Sequence, residues 1–492
     1  MSRLLRRLAW ASVLVLGCGL GALTSSRGII SAQGASRALR AHQVWFGGMP
    51  SIRSLGFDLP PLPTLLELPL ALLPGLGSTA EVGAIVASLA AVLLGWSLLH
   101  ALRAPGLGSG ATAVLTVAVL LNPLLLYAVA TGAGEVLGTA LLVLGLRLVV
   151  DWARDERRSL SLFGGAFAFG LAGLARYDLV LVAAALTAVV ALMAGRQPGQ
   201  RVAYAIAFGT PAAAMLGLWL VVNWLATGNP LTFVGQTVPA GSSGYRGTGN
   251  SLAHFLLIAP VMVFALPGAG ALLARGGSAA RAAVVLGVVA LVLVGWIGVE
   301  AVGGGGPSLL AGLPLAPVSV LLLGSLARLL ASRANAALLV GATAAACVLL
   351  PFGALAEREE AGEGYPSFVA ALSGQAVVPM WSSEEALGAA VREQSQARDV
   401  LLDDQHDALA AFFVRAPGHL IATGDPDYAA VLSNPRGRAR LILVQTPGGD
   451  DEINAAWPRL YAGGVPWAEQ VGEWAVSGEP TSRYRLFAVR AS

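Results

Sequence analysis

Arginine side chains in the polar segment 26–78 are well suited to bind a phosphate. The segment contains Arg37, Arg40 and Arg53, and Asp58 is the carboxylate that precedes its proline pair. Planar guanidinium groups bind phosphate through paired hydrogen bonds. The sequence therefore predicts that these arginines bind the phosphate of a lipid.

A second group of polar residues separates two apolar stretches. It contains Arg176 and Asp178, with Tyr177 between them. Two interpretations stay open at this point. In one, Arg176 and Asp178 form an ion pair that closes a tight turn. In the other, Arg176 binds a phosphate and Asp178 belongs to the same substrate site.

Two asparagines mark a third region. Asn223 and Asn229 flank the end of a long apolar stretch, and the segment that follows, to residue 250, is rich in Gly, Ser and Thr. Such a loop is typical either of a mobile cover over a binding site or of a simple linker. Both asparagines are therefore candidate substrate-binding residues.

Long apolar stretches must position all of these groups. The chain has 492 residues, of which 56% are hydrophobic and 12% charged, whereas soluble domains carry about 25% charged residues. A bilayer core about 30 Å thick requires about 20 apolar residues in a helix. The sequence therefore predicts about eleven membrane spans, near residues 8–25, 79–101, 109–129, 132–150, 160–175, 178–194, 202–226, 253–273, 282–302, 308–330 and 335–355.

The charge distribution predicts the orientation of these spans. Through Leu355 the chain has 20 arginines and nine acidic residues, and from Ala356 onward it has eleven arginines and 19 acidic residues. Cytoplasmic loops collect basic residues, and 14 of the 20 arginines face the cytoplasm if the N-terminus is inside. The C-terminal segment then lies outside the cytoplasmic membrane. The arginines interrupt apolar stretches instead of clustering on a polar face, so the sequence predicts no nucleic-acid surface.

The C-terminal segment, residues 356–492, has the pattern of a soluble α/β domain. Strands predicted at 399–402, 419–423, 440–445 and 484–490 alternate with predicted helices, the last of them at 467–474. Asp403, Asp404 and Asp407, with His406, follow the first strand, at the sheet edge where ligands usually bind. A cation or sugar site and a solvated acidic loop are both consistent with this pattern.

The order of these features resembles the GT-C superfamily of integral membrane glycosyltransferases, in particular the polyprenyl-phosphate-sugar users related to protein mannosyltransferases and aminoarabinose transferases. The matching residues are Leu59-Pro60-Pro61-Leu62 after a long first loop, a glycine-rich stretch that ends in Arg176, and the stretch from Asn223 to Pro230. The resemblance implies a membrane domain, residues 1–355, with a long first outer loop, 26–78. A soluble outer C-terminal domain, 356–492, follows it.

The resemblance also implies an activity, the transfer of a sugar from a polyprenyl-phosphate carrier to an acceptor outside the membrane. The family usually has an acidic residue early in the first outer loop as the base, whereas residues 31–36 contain no acid here. Asp58 is then the expected base, with the loop arginines and Arg176 at the phosphate. The alternatives are a non-catalytic scaffold whose tail binds a glycan or an assembly partner, and a transporter. The sequence leaves the participation of a divalent cation open.

Overall fold

The long apolar stretches form helices, which satisfy their own backbone hydrogen bonds without water. The computed structural model describes residues 3–57, 59–77, 79–103, 107–194, 197–234, 270, 273, 277–302, 308–327, 332–357, 363–377, 381–447, 451–475 and 482–490. The helices up to the first large gap are α1 (Arg3–Ser26), α2 (Ala32–Phe46), α3 (Pro61–Ala71), α4 (Glu81–Arg103), α5 (Ser109–Leu120), α6 (Pro123–Ala130), α7 (Glu135–Arg154), α8 (Ser159–Ala175), α9 (Leu179–Ala194) and α10 (Pro198–Thr227). The bundle continues with α11 (Gly277–Val302), α12 (Leu315–Ala327) and α13 (Arg333–Glu357).

Seven of the described helices are long and apolar enough to cross a membrane, and α5 with α6 forms an eighth candidate, bent by 53°. The predicted spans at 160–175 and 178–194 correspond to α8 and α9. These helices have 17 and 16 residues, fewer than the roughly 20 of a typical span. The predicted span at 253–273 lies outside the described residues. The number of spans therefore stays a prediction.

Helix α7 lies at the centre of the bundle and packs closely against α8. A Cβ atom added to Gly145 would lie 2.8 Å from the Phe169 ring, and one added to Gly165 would lie 2.9 Å from Val149. Small residues at such crossings let helix backbones approach each other where lipid surrounds them. This packing holds the middle of α7 against α8.

The predicted first outer loop is folded, because it forms α2, a short 3-10 helix (Ile52–Leu55) and α3. Pro61 begins α3, where its fixed φ and missing N–H suit a first helical turn. These elements cover the end of the bundle from which the C-terminal segment continues. We call it the domain end, and the opposite end the far end.

The C-terminal segment forms a mixed five-stranded sheet with the strand order β2-β1-β3-β5-β4. The first three strands of that order are parallel, and β5 and β4 are antiparallel additions. The strands are β1 (Val400–Leu401), β2 (Leu420–Ile421), β3 (Leu441–Gln445), β4 (Ala468–Ala475) and β5 (Ser482–Val489). The helices are α14 (Tyr365–Leu372), α15 (Ser382–Gln394), α16 (Ala408–Val414), α17 (Tyr428–Ser433) and α18 (Glu452–Ala456).

The prediction of a helix at 467–474 is wrong, because this segment forms β4. Its large apolar residues, Trp467, Val471 and Trp474, recur at helical spacing, which explains the prediction. β4 pairs with β5 in antiparallel register, and pairing with a neighbouring strand outweighs the local pattern.

Helix α2 joins the bundle to the C-terminal domain. Its residues Ala38 and Leu39 belong to the same buried apolar cluster as Leu387 and Phe412. The domain therefore rests directly on the first loop. The predicted boundary after residue 355 falls in the last turn of α13, and independent folding of 356–492 stays a prediction.

Candidate functional site at the domain end of the bundle

Helix α2 approaches the bundle so closely at Gly34 that no side chain fits there. A Cβ atom on Gly34 would lie 2.2 Å from the carbonyl oxygen of Thr131. Ser31 fixes the start of the helix, because its Oγ accepts a hydrogen bond from the backbone N–H of Gly34 at 3.0 Å. Residue 34 therefore has no room for a side chain.

Arg37, one turn further along α2, is buried, with 1% of its surface exposed. Its guanidinium lies against Gly134, since a Cβ atom added to Gly134 would lie 2.7 Å from both Cζ and Nη1 of Arg37. Nη2 is 3.4 Å from Oε1 of Gln33, whereas Nε and Nη1 donate no hydrogen bond to any described residue. Gly134 is the N-cap of α7, and no side chain caps this helix. The guanidinium and a helix N-terminus, which both favour anions, therefore meet at one point.

Glu67 on α3 is a buried carboxylate that the sequence analysis missed. It is 1% exposed, its Oε2 has no hydrogen-bond partner among the described residues, and Oε1 lies close to Gly83 of α4. Burial raises the pKa of Glu67 to about 8, and attraction to Arg37 opposes this shift. A single acid in the apolar run of α3 was the available signal, but the prolines around it suggested a surface segment.

Arg176 is also buried, but its hydrogen bonds are made within the protein. Nε donates to Oδ1 of Asp178 at 3.0 Å and Nη2 to Oδ2 at 2.7 Å. Nη1 and Nη2 also donate to the carbonyl oxygens of Leu310 and Ala311, at 3.2 and 3.4 Å. Of the two interpretations left open by the sequence, the structure favours the ion pair that closes the turn between α8 and α9.

Tyr177, between the two members of that ion pair, connects three elements at the domain end. Its hydroxyl donates to the carbonyl oxygen of Leu59 at 3.1 Å and accepts from Nε1 of Trp219 at 3.0 Å. Trp219 in turn stacks on Phe57, with ring centroids 5.3 Å apart. The residues on both sides of position 58 are therefore held against α10 and the α8–α9 turn. Asp58 itself lies outside the described residues.

The two other predicted phosphate ligands face the C-terminal domain or solvent. Arg40 is buried, its guanidinium occupies the space where a side chain of Gly56 would lie, and it interacts electrostatically with Asp404. Gly56 has a φ of +65°, which also favours glycine. Arg53 is exposed on the 3-10 helix. Arg37, Arg40 and Arg176 are thus buried and Arg53 is exposed, and phosphate binding by these four arginines stays a prediction.

The two predicted asparagines also differ from each other. Asn223 on α10 is fully buried, its Nδ2 donates to the carbonyl oxygen of Trp219 at 2.9 Å, and its Oδ1 has no described partner. Asn229 is exposed, and its Oδ1 accepts a hydrogen bond from the N–H of Leu231 at 3.0 Å in the turn after α10. Asn223 lies with Trp219 at the domain end, whereas Asn229 stabilises a local turn.

The acidic residues after β1 are buried, so the interpretation of a solvated acidic loop is wrong. Asp403 binds the ring of His406 at 2.8 Å and accepts a hydrogen bond from the N–H of Glu452. Asp404 accepts hydrogen bonds from the backbone and hydroxyl of Thr423. Burial and neighbouring carboxylates hold the pKa of Asp407 well above its usual value. Within the described ranges, no set of three or more His, Cys, Asp or Glu side chains is arranged to hold a metal ion.

An apolar bundle, a first loop folded as two helices over one end of it, and an α/β domain resting on that loop together form a GT-C-like fold. The structure is similar to that of ArnT from Cupriavidus metallidurans, in the apo state and bound to undecaprenyl phosphate. For the apo structure the TM-score is 0.64, over 98% of this chain and 97% of ArnT. For the structure with undecaprenyl phosphate the TM-score is 0.63, over 99% of this chain and 98% of ArnT. The sequence identity is 14% in both comparisons.

A second similar structure is the arabinofuranosyltransferase AftD from mycobacteria. It has a TM-score of 0.51 at 19% identity, over 100% of this chain and 42% of AftD. No protein-family model and no curated protein matches the sequence. At such identities these similarities show the fold of the chain.

Proposed function

We propose that the protein is a membrane glycosyltransferase that moves a sugar from a polyprenyl-phosphate carrier to an acceptor at the domain end. The observation that carries the proposal is the Arg37 guanidinium, which is buried beside the N-terminus of α7 with two nitrogens that lack described acceptors. Leaving buried donors unpaired costs about 1–3 kcal/mol. A phosphate bound there satisfies both the guanidinium and the helix N-terminus. The similarity to a structure with bound undecaprenyl phosphate supports the choice of ligand.

In the proposed reaction the acceptor oxygen forms a bond to the anomeric carbon, and the bond from that carbon to the carrier phosphate oxygen breaks. Asp58 accepts the hydroxyl proton, a role worth about 10² to 10⁴ in rate. Its neighbours Phe57 and Leu59 contact Trp219 and Tyr177 at the domain end. Arg37 stabilises the negative charge on the departing phosphate.

The proposal is tested with purified full-length protein and a panel of polyprenyl-phosphate sugars, by mass spectrometry of the released carrier. We expect turnover with at least one donor, and we expect Asp58→Asn to abolish turnover while carrier binding stays within about twofold, because the base acts in the transition state. A fully active Asp58→Asn protein would overturn the assignment of the base. A wild-type protein that does not bind undecaprenyl phosphate would overturn the proposed function.

A non-catalytic scaffold is the second candidate, and the lack of an acid among residues 31–36 is the observation that favours it. The family that the sequence resembles usually has an acidic residue there. The scaffold predicts carrier binding without turnover for every donor in the same panel. The experiment above therefore separates the two candidates.

We also propose that the domain end faces the outside of the cytoplasmic membrane. The distribution of arginines supports this orientation. In a protein whose two cysteines, Cys18 and Cys347, have been replaced, Ser433→Cys should react with an impermeant maleimide in intact cells. Ser159→Cys at the start of α8 should react only after lysis. Both serines are exposed, so the reverse labelling pattern would contradict the orientation.

A further inference from the structure

A groove opens at the far end of the bundle, away from the site described above. Apolar residues of several helices form its walls, among them Ala101 of α4, Val150 of α7, Leu286 of α11 and Leu321 of α12. Three candidate membrane spans, in α4, α7 and α12, end close to it. If these helices span the bilayer as predicted, the groove lies where the hydrocarbon meets the headgroups.

Charged side chains of α7 line the same groove, namely Arg147, Asp151 and Arg154. Nε of Arg147 lies 3.9 Å from Oδ2 of Asp151, and its Cζ lies 4.6 Å from the centre of the Trp96 ring. Nη1 of Arg147 is buried and donates no hydrogen bond to a described residue. Two guanidinium groups thus accompany one carboxylate, and the groove combines a net positive charge with an unused donor.

The depth of Arg147 makes this arrangement costly without a ligand. Arg147 lies seven residues before the end of α7, about 10 Å along the helix axis. Arginines near the ends of membrane helices usually extend their guanidinium into the headgroup layer. Here the side chain is 20% exposed and Nη1 is turned into the protein. Asp151 is too far away to accept a hydrogen bond, because its Oδ2 lies 3.9 Å from Nε of Arg147. An anion in the groove supplies the missing acceptor.

We propose that this groove binds a phospholipid whose headgroup has a net negative charge. Its phosphate accepts hydrogen bonds from Arg147 and lies near Arg154, and an acyl chain lies along the apolar wall formed by Val150, Leu286 and Leu321. Basic pockets between membrane helices bind anionic headgroups in this way. A choline headgroup places another positive charge beside two guanidinium groups, so the groove selects against phosphatidylcholine. The site is independent of the proposed transferase site at the domain end.

The test uses full-length protein in phosphatidylcholine nanodiscs to which phosphatidylglycerol is added, with native mass spectrometry of the retained lipids. We expect the wild-type protein to retain phosphatidylglycerol, and Arg147→Gln to weaken that retention at least tenfold. Arg103→Gln is the matched control, because Arg103 is exposed at the end of α4 and does not line the groove. Millimolar inorganic phosphate should not displace the lipid, because it lacks the acyl chain.

A second variant keeps the proposal testable if Arg147→Gln fails to fold. Ala101→Phe fills the groove from a half-buried position without a change of charge, and it should also release phosphatidylglycerol. Undecaprenyl phosphate binding at the domain end should be unaffected by both variants. Equal retention of phosphatidylglycerol and phosphatidylcholine, equal losses from Arg103→Gln and Arg147→Gln, or full retention in Ala101→Phe would each overturn the proposal.

Discussion

Two buried arginines at the domain end, Arg37 and Arg176, have opposite surroundings. Arg176 donates to both carboxylate oxygens of Asp178 and to two backbone carbonyls. Arg37 has one long hydrogen bond to Gln33 and two nitrogens without described acceptors. Arg37 interacts electrostatically with the carboxyl group of Glu67. The pKa of Glu67 is raised to about 8, so this group is largely neutral at pH 7.

This difference predicts a structural role for Arg176 and a ligand-binding role for Arg37. A buried guanidinium that already uses most of its five N–H donors has little left to offer a ligand, and removing it leaves its partner charge uncompensated. A guanidinium beside a neutral carboxylic acid keeps its full charge for an incoming anion. The two residues therefore predict different consequences of the same substitution, one in stability and one in affinity.

The largest expected effect is a loss of stability on substitution of Arg176. Arg176→Gln leaves the Asp178 carboxylate buried without its partner, and the loss of a buried ion-pair member costs about 3–5 kcal/mol. We expect a lower thermal midpoint of unfolding in detergent. The double variant Arg176→Gln with Asp178→Asn should recover much of that loss, because it removes both charges. Equal destabilisation of the single and double variants would show that the ion pair is not the source.

The second effect is a loss of affinity. Arg37→Gln removes a charged donor to the carrier phosphate, and hydrogen bonds of this kind contribute about 1.5–3 kcal/mol, which is about 10- to 150-fold in Kd. Binding of undecaprenyl phosphate to the purified protein measures the change. Arg53→Gln is the control, because Arg53 is exposed and should change Kd by less than about twofold. Equal losses in both variants would point to a diffuse surface charge and contradict the assignment to Arg37.

The sequence predicted the general architecture because the lengths of the apolar stretches and the difference in charge between the two parts of the chain can be read directly from the composition. The positions of ten apolar stretches and of four strands agree with described elements, whereas β4 was missed because tertiary pairing outweighed its helical spacing. The sequence also identified Arg37 and Arg176 but did not separate their roles. That separation depends on contacts distant in sequence, such as Arg176 with Leu310 and Arg37 with Gly134, which no local pattern encodes.

Glu67 gives the smallest and most specific effect, a dependence of carrier binding on pH. Below about pH 8 its carboxyl group is protonated, so Glu67 does not offset the positive charge of Arg37, and phosphate binds strongly. Above that pH the carboxylate ionises, neutralises Arg37 and repels the ligand. If only the protonated form binds, apparent affinity falls about tenfold between pH 7 and pH 9.

The matched comparison for this prediction is Glu67→Gln, which keeps the shape of the side chain and cannot ionise. Titration of the carrier phosphate itself is common to both proteins, so the difference between their pH profiles isolates Glu67. We expect the variant to bind undecaprenyl phosphate at pH 9 about as tightly as the wild-type protein does at pH 7. Parallel profiles for the two proteins would show that Glu67 does not control the charge available at Arg37. The contrast between Arg37 and Arg176 would then rest on hydrogen bonding alone.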